Sequence, residues 1–152
     1  MTKERINELL VFLEVEIQKA KENAKKTDEA SKFIVTGPSQ SGDKYHAQNA
    51  ASLAQSYVNR LEELKLEISS AKDGVSQVAE PESFIEIEYE DKSTLEFYLV
   101  DNAVSLTRFL FISKDSPLGL ALIGKKVGDS FSYELEENSS KRKFSGKILL
   151  IE

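Results

Sequence analysis

The sequence predicts an α+β protein: an N-terminal antiparallel two-helix coiled-coil hairpin followed by a small antiparallel β domain with one short helix. Three observations predict it. Apolar residues in the first half recur at heptad spacing. In the second half the period drops to two, as in Ile85-Glu86-Ile87-Glu88-Tyr89. Charge divides at the same place: residues 1–72 carry 11 Lys/Arg against 11 Asp/Glu, and residues 73–152 carry 9 against 15. The whole net charge of −6 therefore lies in the second half. The expected boundaries are residues 1–74 for the hairpin, with a tip loop over about 28–43, and residues 78–152 for the β domain.

In the first helix Ile6, Leu10, Leu13, Ile17, Ala20 and Ala24 form the apolar seam. In the second the seam is Ala50, Ala54, Tyr57, Leu61, Leu64, Ile68 and Ala71. Neither helix contains Pro or Gly, whereas Gly37-Pro38 and Ser41-Gly42 punctuate the segment between them. Asp43 stands at the expected N-cap of a helix running from about Lys44 to Ala71, about 42 Å long at 1.5 Å per residue. Alanines crowd toward the loop and larger Leu and Ile side chains toward the open end, so the helices approach closely near the tip. Two other readings of the heptads are a dimerisation seam and a hairpin folded back on the second half.

The second half supplies strands at Phe84–Tyr89, Thr94–Val100, Ser105–Ile112, Ser130–Leu135 and Lys143–Ile151. Glu90–Ser93 and Asn138–Ser140 read as turns. Ser116–Gly124 reads as a short helix, with Ser116 as N-cap, Pro117 first in the helix and Gly124 as the stop.

Composition removes several function classes. With 40% apolar and 30% charged residues the chain is globular rather than disordered. The absence of cysteine excludes a disulfide framework, a thiolate zinc site and a cysteine nucleophile. A single histidine, His46, excludes a multi-histidine metal site within one chain. The acidic balance opposes broad binding to naked nucleic acid. The longest apolar runs, such as Ile148–Ile151, fall far short of the roughly 20 residues of a membrane span. Met1–Arg5 carries an acid and early helical periodicity rather than the pattern of a signal peptide, so a cytoplasmic address is expected.

The run Ile112–Asp129, with Ser116-Pro117, Gly124-Lys125 and Gly128-Asp129 set between strands, resembles the C-terminal domain of the GreA/GreB transcription elongation factors. The order of hairpin and β domain resembles that family as well. The resemblance implies an FKBP-like β domain that docks on bacterial RNA polymerase, with Ser116, Pro117, Leu118 and Gly119 as docking candidates. It also implies that the coiled coil enters the polymerase secondary channel. In the family's cleavage factors two acids at the tip help hold a second Mg²⁺, which suits oxygen ligands and a two-metal displacement.

The chain departs from that pattern at the tip. Aligning Tyr45-His46-Ala47 with the family's tip places the two acidic positions on Pro38 and Ser41, and neither is a carboxylate. The acids left nearby are Asp28, Glu29 and Asp43, which with Lys44, Tyr45 and His46 make up the tip candidates. Asp28 and Glu29 read either as a substitute acidic pair or as a solvated helix end. Lys25, Lys26, Lys32 and Lys44 form a modest basic group beside them. The expectation is a monomeric elongation factor with weak or no stimulation of cleavage and no catalytic residue, metal or cofactor of its own. Any Mg²⁺ is shared with the polymerase active site, and nucleic acid is reached only through the polymerase. The alternatives are an FKBP-like peptidyl-prolyl isomerase using Phe97, Tyr98, Phe109, Phe111, Phe131 and Tyr133, and a coiled-coil interaction adaptor.

Overall fold

A computed structural model describes residues 1–32, 41–74, 76–137 and 140–152. Two helices, α1 (Lys3–Lys32) and α2 (Ser41–Ser70), precede strands β1 (Ser83–Tyr89), β2 (Thr94–Val100) and β3 (Phe111–Ser113). Helix α3 (Pro117–Leu122) and strands β4 (Ser130–Glu137) and β5 (Ser140–Ile151) complete the chain. Among the described residues no helix is long and apolar enough to cross a membrane.

Each long helix has 30 residues, so each extends about 45 Å. Both reach further into the expected tip loop than the sequence breakers suggest. Nothing in Thr27–Lys32 interrupts a helix, and the i,i+4 pairs Lys25–Glu29 and Asp28–Lys32 support its last turns. Helix α2 starts at Ser41, so Asp43 is its third residue rather than its N-cap. Pro38 and the side chains of Ser41 and Asp43 lie outside the described residues.

The hairpin seam is shifted from a strict heptad. Helix α1 buries Ile6, Leu9, Leu13, Ile17, Ala20 and Ala24, and α2 buries Val58, Leu61, Leu64 and Ile68. Leu9 replaces Leu10 as the fully buried side chain, Val58 replaces Tyr57, and Ala50 is exposed. A straight helix drifts against a 3.5-residue repeat, and a helix pair packed at one end on another element need not supercoil to cancel the drift. Lys21–Glu62, at 2.7 Å, and Lys65–Glu14 bridge the two helices along the exposed edges.

The strands form one sheet in the order β3-β2-β1-β5-β4. Three of the strand pairs are antiparallel, but β3 pairs parallel to β2, so the sheet is mixed. The expected strand over residues 105–112 shrinks to Phe111–Ser113. Residues 101–110 instead cross from the end of β2 to the start of β3, and Ala103, Val104, Leu106 and Phe109 pack against the hairpin core.

Alternation along β1 and β2 gives the sheet two apolar faces. Phe84, Tyr98, Val100 and Phe111 share a core with Ile6, Leu9, Leu61, Leu64 and Ile68 at the hairpin base. Ile85, Ile87, Phe97, Leu99, Phe131, Ile148 and Ile151 form the second core with Leu118 and Leu122 of α3. The hairpin therefore closes on itself and also buries its base against the sheet.

Candidate functional site

Two regions carry the residues that the sequence singles out: the distal end of the hairpin and the corner around α3. At the distal end, Asp28 lies 2.5 Å from the Lys32 ammonium, and Glu29 lies 4.0 Å from Lys25. Both acids are exposed residues of a continuous helix, each with a lysine on its own face. Lys44, Tyr45 and His46 occupy the first turns of α2 and are exposed, Tyr45 by 62%. The Tyr45 and His46 rings meet edge-on with centroids 6.1 Å apart.

A polar groove of about 800 Å³ runs between the helices here, lined by Asp28, Ser31 and Lys32 on α1 and by Lys44, Gln48 and Gln55 on α2. The small side chains Ala24, Ala51 and Ser52 open it. Ser31 is buried and donates its hydroxyl to the Asp28 carbonyl at 2.7 Å. Thus Asp28 and Lys44 are brought to one groove, whereas Glu29, Tyr45 and His46 are not among its lining residues. Among the described residues no three of His, Cys, Asp and Glu stand together as a metal would need.

The second region is built by the Ser116-Pro117 signal. Ser116 caps α3 as expected: its Oγ accepts from Gly119 N at 3.0 Å and donates to the Ser113 carbonyl at 2.7 Å. Pro117 follows as the first helical residue, and Ile123 caps the other end with Gly124 just beyond in the left-handed region. A Cβ on Gly119 would lie 2.2 Å from the Ser113 carbonyl oxygen, so only glycine admits this approach of α3 to the end of β3.

Of the four docking candidates, Pro117 alone is exposed, Ser116 is half-buried, and Leu118 and Gly119 are buried. The exposed side chains beside Pro117 are apolar: Leu120 (66%), Ile123 (41%) and Val127 (51%). Sequence reasoning passed over these three. The available signal was that Leu118 and Leu122 take the inward face of a short helix, which turns Leu120 and Ile123 outward.

Polar ties hold the hairpin base against the sheet and its crossover. Arg5 Nε donates to Glu152 at 2.7 Å, and the guanidinium stands 3.7 Å from the Phe84 ring centre. Arg108 bonds Glu8 at 2.6 Å, and Arg60 donates to the Ala103 carbonyl at 2.9 Å. The backbone N–H groups of Asp101 and Asn102 donate to the two carboxylate oxygens of Glu67. Burial pushes the Glu67 carboxyl above its ordinary range, and these two hydrogen bonds pull it the other way. The Phe12 and Phe109 rings meet edge-on at 5.0 Å.

The architecture defines a class: a long two-helix arm whose base packs on a small sheet domain. Residues 75–148 match the family described as transcription elongation factor GreA/GreB, C-terminal domain. The chain is similar to the GreA factor homolog 1 (Gfh1) protein of Thermus thermophilus, at 25% identity over 100% of this chain and 97% of that one, with a TM-score of 0.39. Thermus aquaticus Gfh1 is similar at 22% identity over 99% and 96% of the two chains, TM-score 0.38. A GreA/GreB elongation factor from Nitrosomonas europaea is similar at 21% identity over 66% and 84%, TM-score 0.40. No curated protein matches the chain.

Proposed function

We propose that this chain is a GreA/GreB-type elongation factor that binds RNA polymerase through the α3 corner and inserts the hairpin into the secondary channel. In this reading it modulates elongation with weak or no stimulation of transcript cleavage, and it is not itself an enzyme. The observation that carries the reading is the join of the family's C-terminal domain to a hairpin about 45 Å long whose helices run unbroken toward the tip. Pro117, Leu120, Ile123 and Val127 offer the exposed apolar surface on the docking side. By the resemblance, the two acidic tip positions of the cleavage factors fall on Pro38 and Ser41 in this sequence. Asp28 and Glu29 are exposed on α1, each beside a lysine of its own helix.

The isomerase reading has less support. Such an enzyme needs an open apolar cleft between helix and sheet, and here Leu122 and Phe97 are wholly buried in that position.

Two measurements test the proposal. The purified chain should be retained by immobilised core polymerase, and Leu120→Asp with Ile123→Asp should abolish retention while leaving the fold intact. Stalled elongation complexes should show little added RNA cleavage with the wild-type chain. Strong cleavage that disappears in Asp28→Ala/Glu29→Ala would overturn the non-catalytic reading.

A further inference from the structure

The inner face of the sheet carries an aromatic surface that neither core fully covers. Tyr89 of β1, Phe131 and Tyr133 of β4 and Phe144 of β5 form one ring cluster, and Phe131 alone among them is fully buried. Its origin is a missing side chain. Gly146 pairs with Tyr89 on one side and with Phe131 on the other. A Cβ there would lie 2.2 Å from the Glu88 carbonyl oxygen and 2.9 Å from the Phe131 ring. Without it the Tyr89 and Phe131 rings meet over the backbone at 5.9 Å. On the next pair, Tyr133 and Phe144 stack at 5.2 Å with their planes 15° apart. The Tyr89 and Tyr133 hydroxyls bond each other at 3.0 Å.

Beside these rings lies a groove of about 470 Å³, within the size range of small-ligand sites. Tyr89, Leu95 and Phe144 form its apolar wall, and Glu90, Asp91 and Lys143 stand at its rim. The two carboxylates are steadied by serines rather than by cations. Glu90 accepts from the Ser145 hydroxyl at 2.7 Å, and Asp91 accepts from the Ser93 N–H at 2.9 Å and its hydroxyl at 2.5 Å. Lys143 faces Glu134 across the β4–β5 register. The rim thus has an acidic excess over a wall of ring faces, in the half of the chain that carries the whole net negative charge.

We propose that this groove binds a cationic side chain of a partner protein, arginine in preference to lysine. A planar guanidinium stacks on the face of Phe144, with the Tyr89 ring at its edge, while its N–H groups reach Glu90. The aliphatic stem lies along Leu95. An anionic ligand would meet two carboxylates and a ring face of the same sign, and is disfavoured.

The test uses the full isotopically labelled chain and N-acetyl-arginine methylamide as probe, followed by NMR on the ring signals of Tyr89, Tyr133 and Phe144 and the methyls of Leu95. Saturable shifts confined to these residues are expected. The lysine analogue should bind more weakly, and the glutamate and proline analogues should not bind. Glu90→Gln keeps an acceptor for Ser145 and removes the charge, so it should weaken binding about two- to fivefold. Phe144→Leu keeps apolar volume and removes the ring face, with a similar loss. No saturable shift with the arginine probe, equal response to arginine and proline, or unchanged affinity in Glu90→Gln would each overturn the proposal. Glu90 is at the surface, so that variant remains decisive even if Phe144→Leu unfolds. None of these outcomes bears on polymerase binding.

Discussion

At the residue scale, short-range chemistry accounts for the most local features. Ser116, Pro117 and Gly124 behave as their positions in the sequence imply, because a cap, a first-turn proline and a left-handed stop are set by neighbours within four residues. Ser116→Ala should cost about 1 kcal/mol in chemical denaturation, the usual worth of an N-cap. Gly119 is different: nothing nearby in sequence demands glycine there, and only the packing of α3 on the end of β3 reveals the demand. Gly119→Ala places its Cβ 2.2 Å from a backbone carbonyl oxygen, so the backbone must move. It should destabilise by about 1–3 kcal/mol, as overpacking does. A midpoint equal to wild type would show that α3 has room to shift.

At the element scale, the helices were legible as helices, but their buried edge was not fully so. Heptad counting selects Leu10 and Tyr57, yet Leu9 and Val58 are the buried side chains, since small rotations of each helix are decided by what it packs on. Leu61→Ala or Leu64→Ala should cost about 2–5 kcal/mol, because both are wholly buried in the seam. Leu53→Ala, at 72% exposure, should stay within about 0.5 kcal/mol.

Glu67 links α2 to the crossover, and its titration has a definite sign. Its folded pKa is raised, so the folded state binds more protons than the unfolded chain between the ordinary carboxylate pKa and the folded value. Its contribution to stability therefore grows as pH falls through that window and is lost as pH rises through the folded pKa. Glu67→Gln keeps one acceptor for the Asp101 and Asn102 N–H groups and should remove this increment. Unfolding free energies of both proteins across the acid range provide the check, and identical pH profiles would rule the assignment out.

At the scale of the whole molecule, the division into two halves is clear in charge and period but is not a division of the core. Met1, Ile6, Leu9 and Ile68 share one apolar cluster with Phe84, Tyr98 and Phe111. Hairpin and sheet should therefore unfold together, with far-ultraviolet dichroism and tyrosine fluorescence giving coincident transitions. Separate midpoints for the two probes would mean that the base contact is weaker than its burial suggests. The same contact aims the arm, because Arg5, Arg60, Glu67 and Arg108 fix the hairpin to the sheet and its crossover. If polymerase binding depends on that aim, Arg60→Ala with Arg108→Ala should weaken retention on core polymerase while melting only slightly earlier than wild type.

By itself the sequence determined the two-helix arm, four of the five strands and the capped short helix. Each of these rests on residues close together in the chain, where periodicity, caps and breakers act. Only the tertiary structure decided that β3 runs parallel to β2, that residues 101–110 serve the hairpin core rather than the sheet, and that Leu120, Ile123 and Val127 face outward. It also decided that four rings gather around Gly146. These outcomes depend on which surfaces meet across long stretches of chain, and alternation of apolar and polar residues marks a face without naming what will cover it.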